Sequence, residues 1–472
     1  MRFISLFIFG VVLLFVTQTG CRKDPLNTDS SAKLLFSKDT IVFDTVFTTV
    51  GSATRQFKVY NTSSKSVNIS SIQLAGGNSS YFHLNIDGDP TTSTENILLR
   101  GGDSMYVFVD VDINPNNANS PLMIEDSILF VTNGNHQKVI LNAVGQDAYF
   151  HYYATLNCNE VWTNDKPHVI YGYAIVPSCC SLTILPGTRV YLHHNAVLAA
   201  DSCATLKVLG AHGNPATFQG DRLEADYSEE PGQWGYIWLS SLSKDNVIDW
   251  AEIKNGTIGI LSDSSGGSFH NANPTVTITN TKIRNMTMAG IFGRCSWMVG
   301  DNIAVSNCGQ YCLAVAYGGK CSFSQCSFGD YWNITSRTTP GVLLNNWYKI
   351  DDVTRNERDL LQADFYNCII CGDQASEIGL DSSVTNGSQF QYKFSHCLIK
   401  TNVNVSDASH FITNHYNQNP AFQNTDYDLH ILNGSAAIDI GDNTIGLLYP
   451  NDLDNQLRFN NGIPDAGAYE HQ

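Results

Sequence analysis

Between Leu35 and Ala148, apolar and polar residues alternate in short runs: "DTIVFDTVFTTVG", "TRQFKVYNTS", "VNISSIQL", "DSMYVFVDVDI", "DSILFVTNG" and "QKVILNAVGQ". Turn residues separate them about every ten positions. A period of two sends alternate side chains to opposite faces, so residues 35–148 are predicted to form a two-sheet β-sandwich. From Tyr149 the pattern changes. "LTILPGTRVYLHHNAVLAADSCATLKVLGAHGNPATFQGD" sets apolar runs a few residues apart, each closed by Gly, Asn or Asp. Later phrases repeat that design: "AEIKNGTIGI", "TKIRNMTMAGI", "IAVSNCGQYCL", "CSFGDYW", "CIICGD" and "CLIKTN". Aligned, they place Ile253, Ile283, Val305, Phe328, Ile370 and Ile399 in one column, with separations of 30, 22, 23, 42 and 29 residues. A base period near 22 with insertions predicts stacked coils rather than propeller blades. Residues 149–420 are therefore predicted to be a right-handed parallel β-helix, in an all-β chain.

Two further columns follow from the alignment. Asn255, Asn285 and Asn307 recur two residues after the apolar position, where stacked amides can bond to each other and tolerate a bent backbone. Cys326, Cys368 and Cys397 stand two residues before it, so they point into the stack as a ladder of buried thiols. Disulfides between coils are the alternative. Cys368 and Cys371 have CxxC spacing, but an odd separation on a strand puts them on opposite faces; the same objection meets Cys179 and Cys180. No paired CxxC set with zinc spacing occurs, and no metal site is assigned.

Composition narrows the function. The 472 residues carry 27 Lys and Arg against 44 Asp and Glu, a formal charge of −17. Such a surface repels phosphate backbones, which argues against nucleic acid as a partner. At the N-terminus, Arg2 precedes an apolar run from Phe3 to Val16 and then "VTQTGC". Residues 1–20 have the form of a signal peptide, and the apolar run within them is too short to span a membrane as a helix. The polar stretch over residues 21–34 is predicted to be a flexible tether.

Several of these segments resemble known families. Gly20-Cys21 resembles a bacterial lipobox with Gln18 in place of the usual Leu, which implies lipidation of Cys21 and anchoring to the outer membrane of the cell envelope. A plain secretory signal with an incidental cysteine is the alternative. The Phe57–Asn61 phrase with the later "LNAVGQ" resembles immunoglobulin-like domains of the ASH/HYDIN type. Near the C-terminus, Gly434–Asp439, Gly441-Asp442, Asp452, Asp454, Arg458 and Pro464–Glu470 resemble the choice-of-anchor Q module that closes exported β-helix proteins. Together these imply an uncharacterised family of Bacteroidetes surface lipoproteins.

Residues 421–472 are accordingly predicted to cap the last coil. Arg458 would tie Asp452, Asp454, Asp465 and Glu470 together, Gly467 would allow a close backbone approach, and Tyr469 would lay its ring over the final coil. Calcium held by the Asp cluster is the alternative.

For chemistry, "GDRLEADYSEEPGQWGYIWL" offers Asp221, Glu224, Asp226, Glu229 and Glu230 ahead of Trp234 and Trp238. Acidic groups beside tryptophans can hold a sugar; a solvated acidic loop over a tryptophan-lined core is the bland reading. His193 and His194, read as a strand, face opposite ways and make a poor metal pair. His410 and His415 lie on a loop with no nucleophile nearby. The function expected is a non-catalytic surface protein for glycan binding or adhesion, with an extracellular polysaccharide as partner. A polysaccharide lyase or glycoside hydrolase on the same scaffold is the alternative; hydrolases need two carboxylates about 5–10 Å apart.

Overall fold

The computed structural model describes residues 25–115, 122–263, 273–351, 354–459 and 462–471. Cys21 and the apolar run before it lie outside the described residues. No described helix is long and apolar enough to cross a membrane. The chain forms two compact units, one reaching Asp147 and one starting at Ala148.

The first unit holds two five-stranded sheets. One contains Arg55–Tyr60, Ser104–Val111 and Phe82–Ile86; the other contains Thr40–Phe47, Asn135–Gln146, Leu122–Thr132, Val67–Leu74 and Ser93–Leu99. Alternation puts Phe57, Val107, Ile69 and Phe130 into one shared core. Pairing is antiparallel except between Thr40–Phe47 and Asn135–Gln146. The described part of the expected tether is not free chain. Asn27 N–H donates to the Ser66 carbonyl at 2.7 Å, Asn133 and Asn135 amides donate to the carbonyls of Asn27 and Ser30, and Leu34 is buried. A polar stretch still orders when its backbone groups find partners. This unit also has a cavity of about 500 Å³ lined by His83, Asn85 and Asp110, in a region where the sequence pattern marks no ligand constellation.

The second unit is built on a 24-stranded sheet wound on itself, with two small antiparallel pairs beside it. From Ser181–Ile184 onward each early strand pairs in parallel with the third strand after it, as Ser181–Ile184 does with Thr205–Leu209 and Arg189–Leu192 with Ala216–Gly220. That rule builds coils of three strands. Ile253, Ile283, Val305, Phe328, Ile370 and Ile399 are register partners in unbroken succession. The column runs further than the sequence alignment: Tyr149, His168, Val190 and Phe218 precede it and Tyr416 follows. Burying each large aliphatic side chain contributes about 1.5–3 kcal/mol.

Corners are made by amides in left-handed backbone. Asn255, Asn285 and Asn307 have φ of 66°, 55° and 51°. The later two amides each donate to the one a coil before, Asn285 to Asn255 at 3.2 Å and Asn307 to Asn285 at 2.7 Å. A second corner takes Trp250, Asn280, Asn302, Gln325, Asn367 and His396, all with φ between 47° and 53°. Only two of its members are adjacent asparagines, which hid it from the sequence pattern.

Cys326, Cys368 and Cys397 are free and fully buried in the main core, with the Cys368 N–H directed at the Cys397 sulfur at 3.4 Å. Cys371 lies in a different apolar cluster from Cys368, on the other face of the strand. One inter-coil disulfide does occur, Cys158–Cys180, 22 residues apart. Burial pushes the Cys368 and Cys397 thiols well above their ordinary value. A thiol reagent should therefore leave the 326/368/397 ladder unlabelled in the native protein and label all three after denaturation without reductant. Peptide mapping that finds any of them oxidised would refute the ladder.

Candidate functional site

The last segment is a strap along the side of the solenoid. Its described contacts fall on outward positions of several coils, whereas the sequence reading expects a cover over the last one. Its N–H and carbonyl groups bind successive coils. Gly467 N–H donates to the Asn367 carbonyl at 2.8 Å, Ala468 N–H to Ser327 Oγ at 3.0 Å, and Asn302 Nδ2 to the Asn451 carbonyl at 2.9 Å. Lys282 approaches Asp454 at 3.9 Å and sits over the Tyr469 ring. The strap buries Ala304, Ile369 and Leu398, outward positions of neighbouring coils, with Leu429, Leu453, Ala466 and Tyr469. Tyr469 stacks on His430 at 3.8 Å, and His430 is held between Asp428 and Asp454. At Gly467, φ is +105°, and a Cβ would stand 2.7 Å from Ile369 Cδ1 and Ser327 Oγ. The short helix Asn443–Leu448 is capped by the Asp442 carboxylate.

Arg458 is fully buried at the centre of this strap. It donates to Asn302 Oδ1 at 2.8 Å and to the Ala468 carbonyl, and faces Glu470 at 3.7 Å. Asp452 accepts the N–H groups of Asp454, Gln456 and Glu470; Asp465 accepts those of Asp439 and His471. Their oxygens thus engage backbone donors instead of converging as an oxygen cage. Among the described residues, no three His, Cys, Asp or Glu side chains are arranged to hold a metal ion.

The acidic loop after Gly220 makes a true pocket, but with fewer of the expected residues. It encloses about 650 Å³ between His193, His194, Asp221, Arg222, Asp226, Tyr227, Glu230 and Gln233. Asp221 follows the strand Ala216–Gly220 and its carboxylate bonds His193 Nδ1 at 2.7 Å. His193 and His194 both face this pocket because the strand ends at Leu192 and they occupy the turn beyond it; strand alternation does not apply there. Arg222 pairs with Glu224 and stacks 3.9 Å above the Tyr227 ring.

Glu229 is an anchor for the loop. It binds Lys254, Arg284 and the Asn285 amide, while the Ser228 carbonyl accepts from Lys254 and Asn255. These bonds fix the pocket wall to the asparagine corner. Trp234 is core: fully buried, its indole N–H donates to the Lys254 carbonyl at 2.8 Å. Trp238 stands on another face, bonded to Asp263 and packed beside Leu261 and Phe292. Neither tryptophan lines the pocket.

A line of rings from coils before the loop ends at His193 in the pocket, which sequence proximity could not reveal. Tyr152 and Tyr171 are register partners, and His193 follows one coil on, its N–H donating to the Ile170 carbonyl. The rings follow in order: Phe150 stacks on Tyr152 at 5.9 Å, Tyr152 stacks on Tyr171 at 4.9 Å, and Tyr171 meets His193 at 4.5 Å with the rings tilted. Burial, then the Asp221 charge, raises the Tyr171 phenol above its ordinary value. A ladder of rings thus leads into a pocket of carboxylates. The available signal was the recurrence of Tyr152, Tyr171 and His193 at intervals of 19 and 22 residues.

No family profile and no curated protein matches this chain. Among solved structures, it is similar to the catalytic domain of a GH87 α-1,3-glucanase in complex with nigerose, at 10% identity over 84% of this chain and 90% of that one, with a TM-score of 0.23. A family 123 glycoside hydrolase from Clostridium perfringens matches at 8% identity over 26% of this chain and 30% of its own, with a TM-score of 0.19. An ASH/PapD-like domain of human CEP192 matches at 12% identity over 28% of this chain and 95% of its own, with a TM-score of 0.17. Likenesses this weak carry no statement about activity.

Proposed function

We propose that this chain is a lipid-anchored cell-envelope protein, held at the outer membrane through Cys21, whose right-handed β-helix presents a glycan-binding pocket at Asp221. The observation that carries the binding role is the ring ladder Tyr152–Tyr171–His193 running into the 650 Å³ pocket. Sugar rings offer C–H faces to aromatic rings and hydroxyls to carboxylates, and a pocket of this size suits a short oligosaccharide. The first unit serves as an immunoglobulin-like spacer.

Charge selects the glycan. Asp221, Asp226 and Glu230 line the pocket, and its one arginine is already paired with Glu224. A uronate would meet like charge, so a neutral or amine-bearing sugar fits better. The same point argues against a lyase, which must neutralise a uronate. Binding rather than hydrolysis is favoured because Asp221, Glu224 and Glu229 are each engaged by a basic side chain. Hydrolysis is the second reading, supported by Asp226 and Glu230 on the same pocket wall.

Calorimetry against neutral, amino and uronate oligosaccharides should show binding to one of the first two classes only. Tyr171→Ala and Asp221→Asn should each weaken it about tenfold or more, the size expected for losing one stacked ring or one charged hydrogen bond. Trp238→Ala should leave it unchanged. Preference for uronates, or equal affinity in all variants, would reject the pocket. Release of reducing ends that stops in Glu230→Gln would establish the hydrolase reading.

A further inference from the structure

Two cysteines outside the disulfide stand opposite each other on neighbouring coils. Cys158–Cys180 joins its two coils because Glu160 pairs in register with Leu182. One coil later, Ser181 pairs with Thr205. Cys179 N–H donates to the Ser202 carbonyl at 3.2 Å, and Thr205 N–H donates to the Cys180 carbonyl at 2.9 Å. That register sets Cys179 directly against Cys203. Both residues are in left-handed backbone, with φ of 59° and 64°, so their side chains leave the corner in the same direction.

Parallel neighbours lie about 4.8 Å apart, inside the Cα range that a disulfide spans. The neighbouring Cys203 thiol holds Cys179 above its ordinary value, while the Lys244 charge acts in the opposite sense. Cys179 is exposed and Cys203 partly so, in contrast with the buried thiols of the core.

We propose that Cys179 and Cys203 close a second inter-coil disulfide when the protein meets a small-molecule disulfide such as oxidised glutathione. The Cys179 thiolate attacks one sulfur of that oxidant, forming a mixed disulfide and releasing one thiolate. The Cys203 thiolate then attacks the Cys179 sulfur and expels the second. Two protein thiols are oxidised, two protons are released, and one glutathione disulfide becomes two glutathione thiolates. Because Cys179 and Cys180 are neighbours in sequence, the two bridges tie three successive coils covalently. Those coils carry Tyr171 and His193, so the clamp would stiffen the ring ladder, whatever ligand the pocket takes.

The test uses the full chain treated with oxidised glutathione, then denatured in an alkylating reagent and mapped by mass spectrometry. The expected product links the peptide of Cys179 and Cys180 to both the Cys158 and the Cys203 peptides. Cys203→Ser should stop at Cys179 carrying one glutathione. Proteolysis within residues 149–262 should slow several-fold on oxidation in the parent and not in Cys179→Ser/Cys203→Ser. If Cys203→Ser becomes glutathionylated while the parent keeps both thiols alkylatable, the pair is reachable yet does not close, and the proposal fails. A bridge from Cys179 to Cys158 would overturn it equally.

Discussion

Replacing Arg458 with alanine is expected to destabilise the strap by about 3–5 kcal/mol, the usual cost of removing one partner from a buried, hydrogen-bonded charge network. Arg458 is fully buried against Asn302, the Ala468 carbonyl and Glu470, with Asp452 and Asp465 adding to the local negative charge. Because the strap lies along the side, the damage should appear at the coils around Asn302, Ser327 and Asn367, and less at the final coil. Hydrogen exchange should show faster exchange at residues 302–327 and 366–371 than at 394–416. Faster exchange confined to the final coil would restore the lid. The same hub sets a pH dependence. Burial, then Asp465, pushes Glu470 up to about 8, so the folded strap holds a proton that the unfolded chain releases near 4.5. That contribution is complete below about 4.5 and is lost as pH rises through 8. Glu470→Gln, which stays neutral, should flatten the dependence between those limits.

Arg337→Met is expected to cost a similar amount, about 3–5 kcal/mol. The guanidinium is fully buried, binds both oxygens of the buried Glu377 at 2.8 and 2.9 Å, and also reaches Asp330 and Asp373. Burial lowers its pKa, but the hydrogen bonds of Glu377 and the charge of Asp330 more than offset this and hold it protonated. The Met variant would strand Asp330 and Glu377 in the interior. Asp330 also accepts the Cys308 N–H at 2.9 Å, so opening of the loop over residues 331–341 should expose Cys308 and Cys312 to a thiol reagent. Adding Asp330→Asn and Glu377→Gln should recover part of the stability, since the cost comes from uncompensated charge. If Arg337→Met alone unfolds at the parent's temperature with both thiols protected, the cluster is dispensable.

Some of this molecule was fixed by local pattern. The column from Ile253 to Ile399 could be read because a parallel coil repeats inward positions at nearly constant spacing, and every partner pair falls in register. The asparagine corner was legible for the same reason, since left-handed backbone selects Asn at the same step of each coil. Cys368 and Cys371 fall on opposite faces by strand alternation alone.

What alternation cannot tell is what covers an outward face. Lys282, Ala304, Ser327, Ile369 and Leu398 are successive outward partners. The change from a charged to a small or apolar residue was a visible sign that something lies over them, but only the fold identified the strap. Trp234 and Trp238 follow the acidic loop closely in sequence and still belong elsewhere, because the return strand Tyr236–Leu239 starts a different face of the coil. His193 reaches the pocket from an earlier coil, with Tyr171 packed behind it. The sequence by itself determined the inward periodicity, because burial acts on each residue where it stands. Only the tertiary structure decided the pocket, the strap and the disulfide, because stacking brings together residues one coil apart, and long insertions hide that distance from the linear pattern.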